Sequence, residues 1–118
     1  MTHSIKTIDV SALEYFDRLN GNRYFAGKVI INYGHIDQIT LPIEYQYGYG
    51  NQYECTAFEE IKKHYKTTFV DHSSREFFSL NRFCDAFDII LRSNKRNAKK
   101  SELKDLEKSF KYWEPCDN

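Results

Sequence analysis

The chain has 118 residues, 41% hydrophobic, 16% aromatic and 29% charged, with seventeen Lys/Arg balanced by seventeen Asp/Glu. That length suits one domain, 1–118, with a modest core. Zero net charge gives no whole-molecule pull toward nucleic acid or acidic substrates, and no apolar run approaches the ~20 residues of a membrane helix.

Residues 1–9 are polar and predict little order. From Val10 to Arg18 the pattern suits a short strand through Leu13, Tyr15 and Phe16, or a helical turn capped by Ser11. Leu19-Asn20-Gly21-Asn22 carries the Asn-Gly signal of a tight hairpin, because both residues tolerate positive φ. Arg23–Tyr33 then alternates as a strand, with Phe25, Gly27, Val29, Ile31 and Tyr33 on the expected core face. Gly34-His35-Ile36-Asp37 is a second turn. Ile39, Leu41, Ile43, Tyr45 and Tyr47 alternate with polar residues, and Pro42, which lacks an N–H, places this third strand at an edge or in a bulge.

At Gly48 the strand pattern ends. Asn51 with Glu54 reads as a capping box for a helix over about 52–65, with Tyr53, Ala57, Phe58, Ile61 and Tyr65 at helical spacing. Residues 66–71 suit a short fourth strand. Ser73 with Glu76 reads as a second capping box, leading a helix with the stripe Phe77, Leu80, Cys84, Phe87 and Leu91. The basic segment 92–100 interrupts that stripe and reads as a connector. Leu103, Leu106, Phe110 and Trp113 mark a last helix before Pro115. The expected fold is α+β: an N-terminal antiparallel meander of three to four strands packed by one helix, followed by two C-terminal helices. Nine Phe, nine Tyr and one Trp point to a core built of rings.

Three regions carry candidate chemistry. In Tyr47-Gly48-Tyr49-Gly50-Asn51-Gln52-Tyr53 the glycines permit close backbone approach, and the helix start at Asn51 offers unpaired N–H groups. Tyr47, Tyr49 and Tyr53 suit stacking on a base or a peptide group. The phosphate-loop lysine and hydroxyl are missing, so a nucleotide held there would rest on stacking. The second region is the hairpin tip, where Asn20, Asn22 and Arg23 suit reading a partner. The third is Arg92, Lys95, Arg96, Lys99 and Lys100, residue types that contact phosphates; backbone contact is favoured there over sequence readout. All three are also explained by packing and solvation alone. Residues 1–60 hold four Lys/Arg against eight Asp/Glu, and residues 61–118 thirteen against nine.

Enzymatic signals are weak. His3, His35, His64 and His72 show no metal-ligand spacing with Cys55, Cys84 or Cys116. Asp71-His72 with Cys55 or Cys84 makes a triad only on paper. The reading is therefore of a non-enzyme without metal or cofactor. The sparse, unpaired cysteines and the absence of a basic-then-apolar leader predict a soluble cytoplasmic protein.

The run Tyr15-Phe16-Asp17, Asn20-Gly21-Asn22-Arg23-Tyr24-Phe25, Leu41-Pro42, Tyr47-Gly48-Tyr49-Gly50-Asn51-Gln52-Tyr53 and Ala57 resembles small proteins encoded by bacteriophages and prophages. The likeness covers about residues 13–60 and brings no catalytic residues with it. It implies an accessory gene of a mobile element, expressed in a bacterial cytoplasm. By analogy such proteins bind and block a host defence machine, anti-CRISPR proteins being the best-known group. The implied partner is a host protein or nucleoprotein complex, with nucleic acid itself as the rival. The edge strand at Pro42 admits a homodimer.

Overall fold

The computed structural model describes residues 5–66, 69–70, 73 and 75–110. In chain order it contains strands β1 (Thr7–Asp17), β2 (Asn22–Ile31) and β3 (Ile39–Tyr47). Helices α1 (Gln52–Tyr65) and α2 (Leu80–Ala86) follow, then strand β4 (Ile90–Asn97) and helix α3 (Lys100–Ser109). The four strands form one sheet in the order β3-β2-β1-β4, antiparallel across the meander and parallel between β1 and β4. The fold is α+β.

Alternation along β1 sends Ile8, Val10, Ala12 and Glu14 to one face, where Phe25, Val29, Ile31 and Ile43 continue the buried surface. Helix α1 lays Tyr53, Ala57, Phe58 and Ile61 on this face, and α2 adds Leu80, Phe83 and Cys84. The helical side is built of rings, as composition predicts: Phe83 packs against Phe58, Phe69, Phe77 and Phe87 with centroids 4.5–5.8 Å apart. The sheet side is aliphatic instead, because β-branched residues fill a pleated surface well. On the opposite face α3 lies against β1, β2 and β3, burying Leu103 and Ala26 outside the main cluster.

The meander matches the sequence reading in its strands, its Asn-Gly turn and the edge position of β3. Helix α1 spans 52–65 as expected. Elsewhere the structure corrects it. Residues 5–9 are ordered, with Ile5 and Ile8 buried, and Val10–Arg18 resolves as strand through Asp17. Strand β2 stops at Ile31 because Asn32 turns at φ 57°. Its buried side chain accepts from the Lys6 N–H at 2.7 Å and donates to Asp37 at 3.1 Å, which leaves Tyr33 outside.

In β3 a bulge puts Glu44 and Tyr45 opposite Ala26, two residues past Pro42. The expected single face of odd residues therefore splits. Ile43 faces the core, whereas Tyr45 and Tyr47 join Tyr24 on the other side. The Asn51 side chain makes no cap bond to α1.

The C-terminal part departs further. Among the described residues 66–71 hold only an isolated bridge, Val70 to Glu76; 67, 68 and 71 lie outside them. The helix read from Ser73 to Leu91 begins at Leu80, capped by Ser79, and ends at Ala86. The real fourth strand is the basic segment read as a connector. Helix α3 is described to Ser109; Trp113 and Pro115 lie outside.

Candidate partner-binding site

The hairpin and the Tyr-Gly-Tyr-Gly turn, about 25 residues apart in sequence, meet at one end of the sheet. Tyr24 pairs directly with Tyr47 across β2 and β3, the Gly48 N–H donates to the Arg23 carbonyl at 3.0 Å, and the Tyr49 hydroxyl donates to the Gly21 carbonyl at 3.3 Å. Gly48 is required by packing: a Cβ there would lie 2.4 Å from the Phe25 ring. At Gly48 the close approach that the sequence suggested for a ligand is thus taken by Phe25, whereas a Cβ at Gly50 would meet nothing within 4 Å.

The bulge gathers tyrosines from both elements. Tyr24 and Tyr45 stack at 5.3 Å with planes 7° apart, and Tyr47 stands edge-on to Tyr24 at 5.9 Å and to Tyr49 at 5.2 Å. The Tyr47 hydroxyl donates to that of Tyr49 at 3.0 Å, which holds the Tyr47 phenol above its ordinary pKa. Tyr47 and Tyr49 remain about half exposed, at 54% and 48%. Helix α3 fixes the inner ring: the Lys104 ammonium sits 4.1 Å over Tyr45, and Glu107 accepts the Tyr45 N–H at 3.1 Å. Asn20 flanks the patch through Asp17, whose carboxyl it holds below the usual range by a 2.9 Å hydrogen bond. Asn22 pairs with Asp17 at the start of β2.

On the α1 side, Glu14 stands in the otherwise apolar row of β1 and is 7% exposed. Its two oxygens meet Arg23 at 3.4 Å and Lys95 at 3.2 Å; Lys95 also donates to the Gly50 carbonyl at 2.8 Å. One carboxylate thereby ties the hairpin, the glycine turn and β4 together. Arg23 lies 4.7 Å over Phe16 and Lys95 5.5 Å over Tyr53. Tyr53 points inward, its hydroxyl bonded to Ser93 at 2.8 Å, with burial pushing its pKa up. Ser93 donates to Glu54 at 2.5 Å. Glu54, expected as a cap, instead anchors β4. Neither Glu14, Ser93 nor Glu54 was singled out from sequence as part of the site. The signal available for Glu14 was an acid at a core-facing position.

The basic residues are divided between the faces of β4. Lys95 points to the α1 side, whereas Arg92 and Arg96 alternate to the α3 side. Arg92 grips Asp9 with two hydrogen bonds of 2.6 and 3.1 Å, which raises its pKa, and Arg96 lies 3.7 Å from Glu102. The Lys99 N–H donates to Glu102 at 3.0 Å at the start of α3; Lys100 is exposed in that first turn. Three of the five cations therefore sit beside carboxylates of this chain, and the segment is not one continuous positive surface.

Burial pushes the Cys84 thiol up to about 12, unfavourable for a nucleophile. Cys55 is exposed in the first turn of α1, and Asp71 and His72 lie outside the described residues. Among the described residues no group of three or more His, Cys, Asp or Glu is arranged to hold a metal, and no helix is long and apolar enough to cross a membrane. No protein-family model, curated protein or solved structure matches the chain.

Proposed function

We propose that this is a non-enzymatic accessory protein of a phage or mobile element that binds, through its tyrosine face, a protein component of a host defence complex and inhibits it. The observation that carries the reading is the union of the 20–25 hairpin and the 45–53 turn into one exposed patch of Tyr, Asn and Gly. That composition is shared with antibody paratopes: tyrosine offers large amphipathic contact at low entropic cost, and small polar residues adapt their hydrogen bonds. The Glu14–Lys95–Gly50 link holds the two loops in one geometry, so little ordering remains for the moment of binding. The defence target itself comes from the resemblance to small phage proteins and from nothing in the site.

The test is phage plating on bacteria carrying a CRISPR-type or other defined defence system, with and without the chain, together with nuclease-treated pull-downs at two salt concentrations. The reading expects plating restored at least tenfold, with a nuclease-resistant complex, and both lost in Tyr47→Ala/Tyr49→Ala. Normal defence across the systems tried, or capture abolished by nuclease, would overturn it. Capture that survives the tyrosine changes but fails on charge reversal of Lys95, Arg96, Lys99 and Lys100 would move the contact to the basic segment.

A further inference from the structure

Resting on that reading, we infer that the tyrosine face takes a cationic side chain, an arginine or lysine of the partner protein, against the exposed rings of Tyr47 and Tyr49. The tyrosine cluster already holds such a cation: Lys104 sits 4.1 Å over Tyr45. Phenol rings attract cations through their quadrupole, and such contacts strengthen as the site loses water.

The hydroxyl chain points the same way. Tyr47 donates to Tyr49 and Tyr49 to the Gly21 carbonyl, so the outermost oxygen, that of Tyr47, has spent its proton inward and offers lone pairs outward. An incoming group meets an acceptor, which suits a guanidinium or ammonium.

Charge adds a third argument. The strands carrying the face, β1 to β3, hold Asp9, Glu14, Asp17 and Glu44 against Arg23 and Lys28. On this side Asp17 and Glu107 act on Tyr45, and Glu44 is exposed on β3. The opposing cations include Lys104, set over Tyr45, Lys100, within Coulombic reach of Asp17, and Lys28, which shares the β2 face of Tyr24. A nucleobase would compete for the same rings, but its phosphates would meet Asp17, Glu44 and Glu107.

The probe is a fluorescein-labelled Arg-Gly repeat peptide, titrated with the full chain by polarisation at 50 and 300 mM NaCl, with amide shifts mapped by NMR. A citrulline version keeps shape and loses charge. The expected result is saturable binding that shifts Gly21, Tyr47 and Tyr49, with at least tenfold weaker binding of the citrulline peptide and of Tyr47→Ala/Tyr49→Ala. Tyr47→Phe/Tyr49→Phe, which keeps the rings and removes the hydroxyl chain, falls between. Circular dichroism confirms that each variant is folded. Equal binding of both peptides, shifts confined to other acids such as Glu59 and Glu60, preference for oligo-dT or an oligo-Glu peptide, or no saturation would each overturn the inference. Target capture that needs Tyr47 and Tyr49 while the arginine peptide fails would sink this inference and leave the inhibitor reading standing. Peptide binding without any defence phenotype would do the reverse.

Discussion

Strand β3 reaches the sheet through an antiparallel hairpin with its immediate predecessor, whereas β4 pairs in parallel with β1, 83 residues away at the Arg92–Asp9 contact. Both are edges, and each is guarded differently. On β3 the outward groups are removed or capped: Pro42 has no N–H, the Tyr45 N–H goes to Glu107, and the Glu44 carbonyl accepts from the Gln46 side chain at 2.9 Å. On β4 the guard is charge, with Arg92, Lys95 and Arg96 alternating along it. Both devices discourage a stranger's strand from adding. The difference lies in what they leave free: capping lets β3 carry exposed tyrosines, whereas the cations of β4 are committed to holding it in place.

Both edges depend on the centre of the sheet. Gly27 joins β2 to β1, and a Cβ there would stand 2.1 Å from the Ser11 carbonyl oxygen and 2.9 Å from the Ala12 Cα, both backbone. Gly27→Ala is expected to force the central strands apart and abolish the cooperative denaturation transition in urea. Phe83→Ala comes next. It removes the hub of the ring cluster beneath α2 and is expected to destabilise by about 3–5 kcal/mol. Its readout can be local. In a Cys116→Ser background a thiol reagent at pH 8 should label exposed Cys55 quickly and Cys84 only on opening, because burial holds the Cys84 thiol at about 12. Phe83→Ala should accelerate Cys84 labelling at least tenfold and leave Cys55 unchanged.

That same division explains what the sequence made legible. Asn20-Gly21, the alternation of 23–31 and the helical spacing of 53, 57, 58 and 61 are local signals, each interpretable within a few residues, and they located the meander and α1. The stripe Phe77, Leu80, Cys84, Phe87 and Leu91 fits a helix as well as it fits a short helix, an Asp88 turn at φ 56° and a strand. What decides is the vacant edge of β1, a partner that lies outside any local window. The charges of 90–97 also masked β4, since they are there to guard an edge and to reach Asp9, Glu14 and Glu102. The candidate loops were legible as turns with unusual tyrosine content. Their meeting was not, because it depends on a one-residue bulge that reverses the facing of Tyr45 and Tyr47.

Glu14 joins the two regions, since it meets Arg23 of the hairpin and Lys95 of β4, and Lys95 in turn holds the glycine turn at Gly50. Glu14→Gln leaves Lys95 and Arg23 without their counter-charge and is expected to destabilise by about 2–3 kcal/mol, Arg23 being partly solvated. The diagnostic is where the loss appears. Hydrogen exchange should rise first at Gly48 and Gln52, whose N–H groups bond Arg23 and Tyr49, and less in the centre of β1. Glu14→Leu with Lys95→Met should recover most of the stability, because an apolar pair suits the continuing row of Val10 and Ala12. It should not recover protection at Gly48, because the bond to Gly50 is gone. Full recovery of both would make Glu14 a packing residue only.

The smallest effect is expected from the outer clasp. Arg92 holds Asp9 with two-pronged geometry, yet its side chain is 56% exposed. Water and salt screen such a pair, and holding a long side chain in one rotamer offsets part of the attraction. Arg92→Ala should therefore lower the urea midpoint slightly in dilute buffer and not measurably in 0.5 M NaCl, whereas Glu14→Gln should keep most of its effect in salt. Equal salt sensitivity for the two would mean that the buried carboxylate is as wet as the surface pair. A loss from Arg92→Ala approaching that of Glu14→Gln would place the anchorage of β4 on its exposed face, and the alternation of charges along this strand would then describe attachment on both sides of the sheet.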